Sequence, residues 1–175
     1  MPVTILPPQG FTTVPWKNGG GITHEIIRDQ TTPWRWRISL AEVAFDGPFS
    51  AFDGMARVLT VIHGAGLALV TADRVLHARP MVPLAFSGGL AVEGRLVDGP
   101  VRDLNVIYDP GTVEVDVSVR HGPWQGAVIG GVYAMEGGVT LSGALVPPHA
   151  MGWGGGDVVM EDQALAVVIG LQLLK

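Results

Sequence analysis

The nine residues TVEVDVSVR, Thr112–Arg120, alternate without a break between apolar and polar side chains. On an extended chain Val113, Val115, Val117 and Val119 fall on one side, and Glu114, Asp116, Ser118 and Arg120 on the other. A helix would scatter the valines around its circumference, so the stretch predicts a half-buried β-strand. The same grammar extends outward in both directions. "RVLTVIHG" (57–64) and "GLALVT" (66–71) are apolar runs around Gly64-Ala65-Gly66, which predicts a hairpin. "VIGGVYAMEGGVTLSG" (128–143) repeats the pattern with Gly137-Gly138 at its corner. In "DVVMEDQALAVVIGLQLLK" (157–175) the polar MEDQ divides two β-branched runs, which predicts strand, turn, strand.

Each hairpin-like segment is followed by a further strand and a glycine patch, "PLAFSGG" in the first half and "MGWGGGD" in the second. That order of events suggests an internal duplication. The expected architecture is all-β, with about a dozen or more strands, built as two jelly-roll-like barrels or two packed sheets.

Composition agrees. The 175 residues include 25 glycines and 13 prolines spread along the chain, which break helices repeatedly. Hydrophobic residues make up 47% and charged residues 15%, a balance that favours a packed core over disorder. A net charge of −5 without a basic cluster argues against nucleic-acid binding. No apolar run approaches the roughly 20 residues that span a bilayer, and no signal peptide is read at the N-terminus, so the expected location is cytoplasmic. There is no cysteine, hence no disulfide, thiolate ligand or cysteine nucleophile.

The loop "PWKNGGGITHEI" (15–26) invites a phosphate-binding reading, which its order defeats. Lys17 precedes the glycines rather than following them, and "ITHEII" prefers a strand to a helix. The glycines instead suit a tight approach to a strand. On that strand Thr23 and Glu25 share one face, opposite Ile22, His24 and Ile26. In "WRWRISLAEV" (34–43) Arg35, Arg37, Ser39 and Ala41 share a face, and in "RDLNVIYD" (102–109) Asp103 and Asn105 do. Polar pairs at spacing two on apolar strands fit either a solvent-facing row or a polar cavity; for Asp103 and Asn105, the cap of a turn is the other reading.

Four blocks, "PWKNGGGITHEI", "WRWRISLAEV", "GPFSAFDGMARVLTVIHG" and "RDLNVIYD", together and in this order resemble the HutD/Ves family. The resemblance implies a cupin-like double-stranded β-helix duplicated within one chain, a bicupin. Its halves would be about 1–108 and 109–175, with strands exchanged between them. It also implies binding of a small acidic metabolite such as formylglutamate or urocanate, rather than an established reaction, and a role in histidine utilisation. Carried over by motif, the ligand-binding positions are Lys17, Asn18, Glu25, Arg37, Ser39, Arg57, Asp103 and Asn105. The sequence departs from the family pattern after Asn105, where "VIYDPG" stands in place of an arginine-containing tail.

Other chemistry has less support. The five histidines include no local pair, the closest two (His63 and His77) being 14 residues apart, so no metal and no cofactor is expected. Lys17, Arg37 and Arg57 would attract a carboxylate, with Glu25 and Asp103 offsetting their repulsion. A metal-independent isomerase or epimerase, using Glu25, Asp103 or His63, is the alternative. Cupin barrels often pair through their sheets, which leaves a homodimer as a further option.

Overall fold

The computed structural model describes residues 2–175. It contains nineteen strands and one short 3-10 turn at Pro8–Gly10, with no α-helix among the described residues. The chain divides into two compact units. One comprises the residues up to Phe11 together with Thr112–Lys175, and the other Thr12–Gly111.

The first strand, β1 (Thr4–Leu6), belongs to the unit that holds the C-terminal segment. The other unit then runs β2 (Thr12–Pro15), β3 (Gly21–Arg28), β4 (Trp36–Val43), β5 (Gly47–Pro48), β6 (Ala56–His63), β7 (Leu67–Val70), β8 (Val75–Ala78), β9 (Leu84–Ser87), β10 (Glu93–Leu96) and β11 (Val101–Tyr108). The C-terminal segment adds β12 (Val113–His121), β13 (Trp124–Val128), β14 (Gly130–Ala134), β15 (Val139–Leu141), β16 (Ala144–Val146), β17 (Met151–Trp153), β18 (Gly156–Met160) and β19 (Leu165–Leu173).

The Thr12–Gly111 unit has a six-stranded sheet ordered β2-β3-β4-β11-β6-β9 and a four-stranded sheet ordered β5-β10-β7-β8. Its core draws Ala41, Leu59 and Val61 from the first sheet and Leu67, Leu69 and Ala78 from the second. The other unit has a five-stranded sheet ordered β1-β17-β14-β19-β12 and a four-stranded sheet ordered β13-β18-β15-β16. Its core is built on Val132, Ala134, Val139, Leu141, Val158 and Val168. Every pairing between these named strands is antiparallel, as expected where one face of each strand packs on a core.

Two expectations are corrected. The runs flanking Gly64-Ala65-Gly66 form no hairpin: β6 pairs with β11 and β9, whereas β7 pairs with β10 and β8 in the opposite sheet. Likewise β14 pairs with β17 and β19, and β15 with β16 and β18. In both places the glycine corner carries the chain across the core from one sheet to the other. Eight-residue β6 finds in β11 a partner of matching length, which four-residue β7 could not supply. The second correction lies in β3. A bulge between Glu25 and Ile27 makes Ile26 the extra residue, so it is buried while Ile22 remains 37% exposed.

Candidate functional site

Register brings most of the sequence-predicted positions onto one face of the six-stranded sheet. On β11, Asp103 lies opposite Ala41 of β4 and Val61 of β6, and Asn105 lies opposite Ser39 and Leu59. Ile107 is flanked by Arg37 on one side and Arg57 on the other. Glu25 on β3 pairs with Ser39. Directly paired residues share a face, so Glu25, Arg37, Ser39, Arg57, Asp103 and Asn105 point to the same side.

At the centre is a buried polar chain. The Arg57 Nε donates to Asn105 Oδ1 at 2.7 Å, and Asn105 Nδ2 donates to Asp103 Oδ1. Asp103 is fully buried, and Asn105, Ser39 and Arg57 nearly so. Asp103 and Asn105 therefore sit mid-strand in a central strand, and the turn-capping reading is excluded. Burial pushes the Asp103 carboxyl up to about 6, against the opposing influence of Arg57 and of the Asn105 hydrogen bond. Burial also draws Arg57 down to about 10, which leaves it charged at neutral pH.

Aromatic rings hold both arginines. The Arg57 guanidinium lies 5.4 Å from the Phe49 ring centre and 5.5 Å from that of Phe86. Arg37 lies 5.3 Å from Trp34 and 5.1 Å from Phe52. Such contacts fix a guanidinium in place without occupying its donors. Arg37 is drawn below its ordinary range by burial, with Glu25 acting to raise it and Arg28 to lower it further. These four aromatic residues escaped the sequence reading, because nothing local links Phe49, Phe52 or Phe86 to an arginine on another strand.

Two occluded polar atoms of this face have no hydrogen-bond partner, Arg37 Nε and Asp103 Oδ2. Buried polar groups are normally satisfied, so an unmatched donor and acceptor on the same face as a guanidinium point to a polar ligand.

The remaining candidates lie elsewhere. Lys17 is exposed and makes no hydrogen bond or ion pair among the described residues. Asn18 positions the loop. Its Oδ1 accepts from Gly20 N at 2.9 Å, and its Nδ2 donates to Pro48 O at 3.4 Å, next to the Phe49 that stacks on Arg57. The glycine loop does approach a strand closely, since a β-carbon on Gly21 would stand 2.4 Å from Glu42 O. Arg35, grouped by alternation with Arg37, instead pairs with Asp29 at 2.7 Å and holds that carboxyl well below the usual range. His63 is exposed at the far end of β6, six residues or about 20 Å along the strand from Arg57.

Two open cavities lie away from the arginine cluster. One of about 250 Å³ is lined by residues including Asn18, Gly20, Phe45 and Asp46. The larger, about 580 Å³, lies in the other unit among Glu136, Glu161 and Asp162, whose carboxylates would repel an acid. The candidate site is the cluster, where the guanidiniums, the unmatched Arg37 Nε and the unmatched Asp103 Oδ2 are. Among the described residues no group of three or more His, Cys, Asp or Glu side chains is arranged to hold a metal ion. No helix among them is long and apolar enough to cross a membrane.

Paired antiparallel sheets of this order define a cupin-like all-β protein. Solved structures with the same fold include the bacterial pirin YhhW from Escherichia coli, in complex with nickel(II), at TM-score 0.69 and 7% identity over 95% of this chain and 97% of that one. Within that class the chain belongs to the HutD family, whose model matches residues 9–164. It is similar to HutD from Pseudomonas fluorescens SBW25, with 30% identity and TM-score 0.85 over 98% of this chain and all of that one. It is also 40% identical over 112 residues to an uncharacterised 21.2 kDa protein in the hutC 3′ region of Pseudomonas putida. Protein Ves of Escherichia fergusonii is 36% identical over 96 residues. The matches cover 61% and 53% of this chain, and only 58% and 50% of those two relatives' lengths.

Proposed function

We propose that this chain is a cytoplasmic small-molecule-binding protein whose ligand is a small carboxylic acid, held by Arg37 and Arg57. One observation carries the reading: two guanidiniums fixed by aromatic rings lie on a face that also holds the unmatched Arg37 Nε and Asp103 Oδ2. The terminal nitrogens of Arg57 suit a carboxylate's paired acceptors. Asp103 Oδ2 would accept from a donor elsewhere on the ligand, which favours an acid carrying an N–H or O–H. A formylglutamate- or urocanate-like compound meets that description. The relative encoded in the hutC 3′ region supports a role in modulating histidine utilisation. We also propose that the two units descend from one duplicated cupin barrel. Counted from β4 in one unit and β12 in the other, eight strands follow each other in the same sheet order, which supports that origin.

Thermal-shift and calorimetric titration with formylglutamate, urocanate, glutamate, histidine, acetate and several sugars tests the site. At a hundredfold excess over Kd, a ligand of the native state stabilises it by about 2.7 kcal/mol. An acid is expected to do so, and Arg37→Ala to weaken its binding about tenfold or more. If no acid binds, or the substitution leaves affinity unchanged, the assignment fails.

A second reading rests on Asp103 itself. A buried carboxyl brought to about 6 can hold or release a proton near neutral pH, as a metal-independent isomerase would require. Turnover of any compound in the panel, lost in Asp103→Asn, would favour it.

A further inference from the structure

The strand that opened the sequence has a free edge. β12 lies at the end of its sheet and pairs over all nine residues with β19, without a register shift. Among the described residues no strand pairs with its other side. Every other edge strand of the four sheets has five residues or fewer, and β2 ends in a proline. Natural sheets guard long edges with bulges, prolines or inward charges, because unpaired N–H and C=O groups recruit other strands. β12 has no proline, no glycine and no bulge, and the row Val115, Val117 and Val119 is only half buried.

Hydrogen-bond parity fixes which groups face outward. Thr112 O accepts from Leu174 N, and Gly122 N donates to Ala164 O, just beyond the two ends of the β12–β19 ladder. In an antiparallel ladder a residue's N–H and C=O point to the same side, and the side alternates. The even-numbered residues of β12 are therefore engaged with β19. Val113, Val115, Val117, Val119 and His121 present their backbone groups to the open edge.

We infer that this edge pairs with the same edge of a second copy, antiparallel about a two-fold axis at Val117. In that register Val117 meets its own counterpart, Val115 meets Val119, and Val113 meets His121. All are outward-facing residues, so each such pair exchanges two backbone hydrogen bonds. The intervening even residues complement one another: Glu114 faces Arg120, and Asp116 faces Ser118. These are the non-hydrogen-bonded pairs, in which side chains come closest. Arg120 is already steadied by Trp124, 5.0 Å from its ring centre. A patch that complements itself in charge, in parity and in its valine row is what an isologous interface requires. A register shifted by one residue would set outward groups against engaged ones; a shift by two in one direction sets Asp116 against itself, and in the other pairs Asp116 with Arg120 but leaves Glu114 opposite Gly122. The pairing does not depend on the ligand proposed above.

Light scattering coupled to size exclusion, and sedimentation velocity across a concentration series, test this on the full chain. The wild type is expected to run at twice the chain mass of 18.4 kDa. Val117→Pro removes an outward N–H that the β12–β19 ladder does not use, a position where an edge strand tolerates proline. It should be monomeric with its fold retained. Glu114→Arg alone should weaken dimerisation about tenfold by setting two arginines opposite each other twice over. Glu114→Arg combined with Arg120→Glu should restore it, which keeps the test decisive even if Val117→Pro does not fold. A monomeric wild type would overturn the proposal, including the case where the edge serves a different partner. So would a dimer indifferent to both the charge reversal and its rescue.

Discussion

Asp103→Asn should raise the thermal midpoint at pH 7 by several degrees and flatten its dependence on pH. The cause is the buried carboxyl, pushed from 3.8 up to about 6 chiefly by desolvation. Between those values the folded chain keeps a proton that the unfolded chain has released. Stability is then undiminished below about pH 4, falls as pH rises through 4 to 6, and stays reduced above that. Two units of pKa correspond to at most about 3 kcal/mol. For a chain of this length that is roughly 6–12 °C. Asparagine keeps the oxygen that accepts from Asn105 and has no charge to desolvate. Calorimetric melts from pH 4 to 8 provide the measurement. A wild-type midpoint that is flat or rising across this range would refute the account, as would an Asp103→Asn variant no more stable than wild type at pH 7. If Asp103 contacts the ligand as proposed, the gain in stability should accompany a loss of ligand recognition.

The sequence made this position visible for a physical reason. Asp103 and Asn105 interrupt an apolar strand at spacing two, a pattern that a central strand tolerates only when each group has partners. Arg37 and Ser39 were legible by the same logic on β4. Alternation also identified β12 to within one residue at each end, because an edge strand half covered on one side leaves its period in the sequence.

What stayed hidden is non-local. An apolar run, a glycine corner and a second apolar run look alike whether the runs pair with each other or cross between sheets. The answer lay in distant β11 and β10, which take β6 and β7 as partners. The Ile26 bulge was invisible because its apolar side chain preserves the expected pattern one residue too long. Lys17 and Asn18 carried the right residue types, but an exposed loop gives no alternation from which to infer direction. Nothing local in the sequence marks Phe49, Phe52 or Phe86, and only the fold brings them beside guanidiniums.

Gly130→Ala should be severely damaging to the β12–β19 unit, whose central strand it begins. A β-carbon there would stand 2.3 Å from Ile169 O and 3.1 Å from Leu171 N, both backbone atoms of β19 with no rotamer to change. The residue also has φ +144°, a region that L side chains rarely adopt. Relief by movement is blocked on the other side, where Gly130 O accepts from both Gly154 N and Gly155 N. Shifting the strand would break those bonds and open the core around Val132 and Ala134, which are fully buried. Strain and lost hydrogen bonds together place the expected destabilisation above about 4 kcal/mol, in the range that marks a special backbone site. The variant should be recovered mainly as insoluble protein, or melt more than about 10 °C early if soluble. Gly137→Ala is the control: no atom lies within 4 Å of its β-carbon position, and it should stay within about 0.5 kcal/mol of wild type. Equal melting of the two variants would mean that β14 can slide past β19, and that the close approach at Gly130 is not what fixes their register.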